Sequence, residues 1–355
     1  MKYNSVVHIG NKEVSITSPV YFIADIASNH DGDIERAKDL IWTAKEAGAD
    51  AVKFQHFLAK DIVSDYGFSH MHASSHQAAW KKSVYQVYEE CEYKREWNEI
   101  LAKEAERASI DFMTTPYDYA AVDGVDCYVP AYKIGSGDIT WTQFIEYVAK
   151  KAKPVLLATG AANIEDVIRA VECVIGNNKD IILMQCNTNY TGSLDNLKYV
   201  NLNVLKFYAN LYPGMVLGLS DHTPGHTTVL GAIALGARVI EKHFTDDNNR
   251  VGPDHAFSMN PITWKDMVGC SRELEFALGD GYKKVEENEK DTVIVQQRAI
   301  RLKHDMNAGD IISENDVKFL RPAPAGAYKP YQLQSILGKK LNTAKNAGEA
   351  VMLND

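Results

Sequence analysis

The chain has 355 residues, 45% of them hydrophobic and 24% charged, which suits a globular protein of one large domain and a small one. Its net charge of −9 argues against nucleic acid as a partner, since binders of a polyanion carry a basic surplus or stripe. No run approaches the ~18 consecutive apolar residues of a membrane span, so no membrane contact is expected. The first residues, MKYNSVVHIGNKEVSIT, lack the basic region and apolar core of a secretory signal. The five cysteines (Cys91, Cys127, Cys173, Cys186 and Cys270) are scattered without a CxxC pair. Reduced thiols in a cytoplasmic protein are therefore expected.

In chain order, VVHIGNKEVSIT reads as a small hairpin turning at Gly10-Asn11. Eight β-rich runs follow: 21–28, 50–55, 111–116, 131–136, 154–160, 181–187, 216–221 and 239–244. Helical periodicity fills most of the gaps. Ile34, Ala37, Ile41 and Ala44 share one helix face, with Gly48 just past its end, and Val167, Ala170, Val171 and Val174 repeat the pattern. Eight strands with helical crossovers predict a (β/α)8 TIM barrel, and the hairpin is placed to plug its N-terminal end. A doubly wound sheet is the competitor, disfavoured by eight regular units and no early GxGxxG. Residues 56–93, rich in His, Ser and Tyr, form a long loop after the second strand, on the catalytic face of such a barrel.

The charged stretch KKVEENEKD suggests a linker over 283–292, which leaves 1–282 for the hairpin and barrel. Residues 293–355 read as a compact β-rich domain, in which NAGD (307–310) and NAGE (346–349) mark two similar turns.

Active sites of barrels lie at the C-terminal strand ends. Those ends carry Asp25; Lys53 and Gln55; Thr114 and Thr115; Lys133, Ser136 and Asp138; Thr159; Asn187, Thr188 and Tyr190; Ser220 to His222; and Glu241 with His243. A barrel mouth is polar wherever it meets water, so each position alone carries about even odds of being mere solvated surface. Hydrogen-bonding groups at all eight ends together suit a small, heavily oxygenated substrate. His222 and His243, on adjacent strands, can reach one divalent ion, with His30, His226 and His255 as competitors. Lys53 and Lys133 suit an anion clamp, a Schiff-base chemistry, or simple pairing with carboxylates.

Taken together, ADIASNHDGD, GADAVKFQ, TTP, YKIGSGD, LATG, GLSDHT, ALGARVIEKHFT and GPDHAFSMNP resemble the sialic acid synthase family. AGDIISENDVKFLRP and LGKKL resemble the small antifreeze-like (SAF) domain that follows the barrel in that family. The resemblance implies condensation of phosphoenolpyruvate with an N-acyl hexosamine-type aldose, giving a nonulosonic acid and phosphate. The acceptor would be N-acetylmannosamine or a diacetamido-trideoxyhexose. His222 and His243 would hold a divalent metal, manganese in most of the family, with magnesium or cobalt as alternatives. Lys53, Thr115, Lys133, Ser136, Thr188 and Ser220 would hold phosphoenolpyruvate, and Gln55, Tyr190 and Asp254 the sugar. Arg321 would reach the sugar's N-acyl group in the neighbouring subunit of a domain-swapped homodimer. Asp25 and Asp138 stand where the family usually has glutamate, and Ala158 where many members have serine; the two carboxylates would act in proton transfer or orient sugar hydroxyls. A Schiff-base pyruvate lyase and a non-catalytic carbohydrate-binding protein are the alternative functions.

Overall fold

The computed structural model describes residues 2–71 and 82–353. Two compact units divide the chain at Gly279/Asp280.

The first unit begins with the hairpin, β1 (Val6–Ile9) paired antiparallel with β2 (Lys12–Ser15), and Gly10 takes the positive φ of 55° that its tight turn requires. Eight parallel strands then close a barrel: β3 (Tyr21–Asp25), β4 (Ala51–His56), β5 (Asp111–Pro116), β6 (Tyr132–Ile134), β7 (Val155–Ala158), β8 (Ile181–Cys186), β9 (Val216–Asp221) and β10 (Ala237–His243), with β10 returning to β3. Each coincides with an expected run to within a few residues. The helices Ile34–Glu46 and Ile164–Ile175 bury the faces that the periodicity marks.

Period-2 alternation explains the division of labour inside the barrel. Ile23, Ala51, Met113, Ala131, Leu156, Ile182, Val216 and Val239 point inward in its lower part and pack on Val7, Ile9 and Val14 of the hairpin, which seals that end. Two residues further along the same strands, the same parity delivers Asp25, Lys53, Thr115, Lys133 and Glu241, and four residues beyond Val216 it delivers Ser220. Register completes the layer, because His243 lies opposite Asp25 and Asp25 opposite Lys53.

The opposite parity carries a buried ion pair behind the site. Lys242 Nζ contacts Asp221 Oδ2 and donates to the Thr223 carbonyl (2.5 Å), while Thr228 Oγ1 donates to Asp221 Oδ2 (2.7 Å). This network anchors the turn in which His222 sits. The segment after β4 contains short helices at Ala59–Ile62, Asp65–His70 and Val84–Glu90, so it is more helical than a loop; residues 72–81 lie outside the described residues.

In the second unit β11 (Ala299–Leu302) pairs antiparallel with β12 (Val317–Leu320) over a core of Ile300, Leu302, Met306, Ile312, Val317, Ile336, Leu341 and Val351. The two Ala-Gly-acid turns are alike, with Gly309 at φ 90° and Gly348 at φ 88°. The stretch expected as a linker carries the start of a helix, Lys290–Gln296, and the Ile294 carbonyl accepts from Ala323 N (2.8 Å), which ties that helix to this unit. Among the described residues no helix is long and apolar enough to cross a membrane.

Removing one partner of a buried ion pair leaves an uncompensated charge, which costs about 3–5 kcal/mol. Lys242→Met should therefore lower Tm by on the order of 10 °C in calorimetry, and adding Asp221→Asn should recover part of the loss.

Candidate active site

A cavity of about 390 Å³ opens at the C-terminal strand ends and is lined by thirteen of the residues expected there: Asp25, Lys53, Gln55, Thr115, Lys133, Ser136, Asp138, Thr188, Tyr190, Ser220, His222, His243 and Asp254. Arg321, the remaining candidate, belongs to the second unit.

At its floor, Lys53 Nζ lies 2.8 Å from Asp25 Oδ2 and donates to Thr115 Oγ1 (2.9 Å). Lys133 Nζ donates to Glu241 Oε1 (2.6 Å), and that oxygen is also 3.8 Å from Lys53 Nζ. Burial alone would raise the Asp25 carboxyl, but the Lys53 ammonium, His243 and the Gln55 amide outweigh it and hold it at about 2. Ala27 N and Gln55 Nε2 also donate to Asp25, so both its oxygens are engaged. Asp138 differs: its Oδ2 is buried with no hydrogen-bond partner among the described residues, and burial pushes its carboxyl up to about 6.

Near the end of β7 the backbone comes close to other groups. A Cβ on Gly160 would fall 1.9 Å from Thr188 Oγ1 and 2.8 Å from Ser136 Oγ, and Gly160 N donates to that serine (3.0 Å). Two hydroxyls thus converge on a bare stretch of main chain, and both line the cavity with Lys133. This is the kind of cradle that receives an anion.

The His222 and His243 rings lie 5.3 Å apart between centroids. Asn187 O is 3.0 Å from His222 Nδ1; burial would lower this imidazole, but hydrogen bonding to the Cys186 thiol and that group's charge raise it above its ordinary value. Burial pushes His243 down to about 3, so its imidazole is neutral, and its Nδ1 is buried without a hydrogen-bond partner among the described residues. Asp25 and Asp254 each place a carboxylate oxygen near His243, at 3.6 and 3.8 Å. A neutral His243 imidazole with two carboxylates close by, and the His222 ring beside it, fit a divalent cation.

The competing histidines have other partners. His226 faces Asp266 (3.3 Å) and, with Cys270, forms the tightest three-ligand group among the described residues, but none of the three lines the cavity. His30 is buried against Trp97, and His255 is hydrogen-bonded to Thr245 and Asp31. The sequence reading left Glu241 without a role, although it shares its parity with His243; the structure makes it the counter-charge of both lysines. It also missed the apolar wall of Phe57, Ile62, Val87 and Tyr117, most of which comes from a segment without readable periodicity.

The NeuB family model matches residues 40–283, more than half of the chain, and a SAF domain model matches residues 297–355. The chain belongs to the NeuB family. Its relatives include the N,N'-diacetyllegionaminic acid synthase of Legionella pneumophila, 34% identical over 94% of this chain and 93% of that protein. The pseudaminic acid synthase of Campylobacter jejuni is 31% identical over 98% and 99%. Among solved structures, the N-acetylneuraminic acid synthetase of Leptospira borgpetersenii superposes with a TM-score of 0.73 at 25% identity, over 82% of this chain and 96% of that one. For a NeuB family member the barrel mouth is thus the place to test chemistry.

Asp138 offers a first test. Its folded-state value is raised from 3.8 to about 6, so the folded protein holds a proton where the unfolded chain has released it. Lowering the pH from 7 through 6 therefore relieves a penalty carried by the ionised form. Asp138→Asn should raise Tm at pH 7, and scanning calorimetry should show that gain shrinking as the pH falls below about 6.

Proposed function

We propose that this NeuB family protein condenses phosphoenolpyruvate with an N-acyl amino-sugar aldehyde, yielding a nonulosonic acid and phosphate. The carrying observation is that two buried, carboxylate-paired lysines line one cavity with Ser136, Thr188, both histidines and Asp138. Lys53 and Lys133, with Thr115, Ser136, Thr188 and Ser220, would hold the phosphate and carboxylate of phosphoenolpyruvate by exchanging contacts with Asp25 and Glu241 for the substrate's oxygens. C3 of phosphoenolpyruvate forms the new bond to the aldehyde carbon, whose oxygen takes a proton; water adds at C2, and phosphate leaves.

Asp25 is committed to Lys53 and Gln55, so its role is to orient that lysine. Asp138, with a free oxygen and a value near neutrality, is the better group to accept from a sugar hydroxyl or move a proton. Gln55, Tyr190 and Asp254 would hold the acceptor. His222 and His243 would hold a divalent metal, manganese before magnesium or cobalt, which when bound supplies Lewis-acid polarisation of the aldehyde. The wall of Phe57, Ile62 and Val87 favours an acceptor with acyl and methyl groups, such as a diacetamido-trideoxyhexose, over N-acetylmannosamine. The names of the legionaminic and pseudaminic acid synthases favour the same reading. Arg321 would complete the sugar site from the neighbouring subunit of a homodimer, and the five free cysteines suit a cytoplasmic enzyme.

Phosphate release measured with a panel of amino sugars, with and without EDTA, tests this reading. Release should require phosphoenolpyruvate, an aldehyde sugar and a divalent metal together, and Lys53→Met should lower kcat/KM by at least about a hundredfold. Borohydride trapping of pyruvate on Lys133, with no phosphate release and indifference to EDTA, would indicate a Schiff-base lyase instead. Arg321→Ala should raise KM for the sugar by about tenfold and leave that for phosphoenolpyruvate unchanged, with a dimer in sedimentation.

A further inference from the structure

The loop after β10 carries Asp254 to the cavity, and its Phe257 packs 4.9 Å from the His243 ring and 5.6 Å from that of Tyr190, both of which line it. Main-chain bonds join the two ends of this loop, from Met259 N to the His243 carbonyl (2.8 Å) and from Thr245 N to the Met259 carbonyl (2.9 Å). Between those ends side chains fix it, and the central one is His255. That residue is fully buried and does not line the cavity. Its Nδ1 is 2.7 Å from Thr245 Oγ1 at the loop's start, and its Nε2 is 2.9 Å from Asp31 Oδ1 in the segment that follows β3.

Asp31 is itself fixed. It sits at φ 53° and is gripped by Arg36 (3.2 Å) and Arg250 (3.0 Å). Around His255 the chain is closely wrapped: a Cβ on Gly252 would meet the ring at 2.6 Å, and Asn248 Nδ2 donates to the His255 carbonyl (2.9 Å). A second tie runs parallel, from Asn29 Nδ2 to Ser258 Oγ (3.0 Å) and from that hydroxyl to the Asp254 carbonyl (2.7 Å). The result of this bracing is visible at Asp254, whose Oδ2 accepts from Ser28 N (3.2 Å) and lies 3.8 Å from His243.

We propose that His255 is a positioning residue for the acceptor sugar: by pinning the loop after β10 to Asp31, it fixes the Asp254 carboxylate and the Phe257 ring over the histidine pair. The inference rests on the function proposed above. Phosphoenolpyruvate would be held by groups on the strands and just past the ends of β6 and β8, which this pin does not touch. Loosening it should therefore affect one substrate and spare the other.

The test combines steady-state kinetics with hydrogen–deuterium exchange on the full-length protein. His255→Ala should raise KM for the sugar by about tenfold or more while KM for phosphoenolpyruvate stays within about threefold. Exchange should quicken in residues 245–258 and 29–31, with β4 and β5 unchanged as an internal control for folding. His255→Gln, which keeps one of the two hydrogen bonds, should recover part of the sugar affinity. Because His255 acts through Asp254, adding His255→Ala to Asp254→Asn should cost less than about twofold more. Equal changes in both KM values, or exchange indistinguishable from wild type, would overturn the proposal. If the wild-type protein releases phosphate with no sugar at all, the proposed function fails, and exchange alone then decides the pin: local quickening supports it and its absence overturns it.

Discussion

Four charges in the barrel mouth set the terms for everything around them: Lys53 and Lys133 against Asp25 and Glu241. Each is almost wholly buried, and an isolated buried charge is expensive enough that the group neutralises rather than remain alone. Here the signs balance within one connected network. That balance makes a pair of desolvated ammonium groups tolerable at the bottom of a cavity, and the hairpin below keeps water out from the other end. It also bears on the proposed reaction. A phosphate together with a carboxylate brings roughly three negative charges at neutral pH. A network already neutral cannot offset them by itself, so a divalent cation on the nearby histidines, as proposed, would supply charge that the side chains lack.

The parity of the strands makes the same sequence serve stability and chemistry at once. Inward residues are apolar where the hairpin seals the barrel and ionic two positions later, while the intervening Asp221 and Lys242 face away and lock the turn that carries His222. Asp138 departs from this economy. Its buried oxygen goes unpartnered, and the protein tolerates a carboxyl whose ionised form burial disfavours. Such a group is a liability for folding and an asset for accepting a hydrogen bond from something that arrives later.

Much of this was readable in the residues themselves. Alternation and eight-fold repetition are local signals, so the strands from Tyr21 to His243 could be placed, and with them every candidate in the barrel mouth. What escaped depends on distant partners. Glu241 was visible as an inward residue, but its role as counter-ion follows from Lys133 lying across the barrel, 108 positions away in the chain. His255 competed as a metal ligand because a histidine in a polar motif offers no sign of direction; burial and two hydrogen bonds settle where it points. The helix Val84–Glu90, which brings Val87 to the cavity wall, is too short to show a period.

The placement of the histidine pair relative to barrel closure ties these observations together. β10 and β3 are last and first in the barrel, so the seam between them joins parts of the chain more than 200 residues apart. Backbone pairing closes it up to His243 and Asp25, where the strands end. Beyond that level no strand pairing among the described residues continues the seam, and each contact across it uses at least one side chain: Ser28 N to Asp254, Asn29 to Ser258 and the Phe244 carbonyl, Asp31 to His255, and Arg36 to Asp246 (2.6 Å). His243 stands at the point where one kind of closure gives way to the other. A ligand there has its back to a rigid sheet and its front to a loop held by a few replaceable contacts. That arrangement lets the loop be altered for a new acceptor while the charged floor stays as it is.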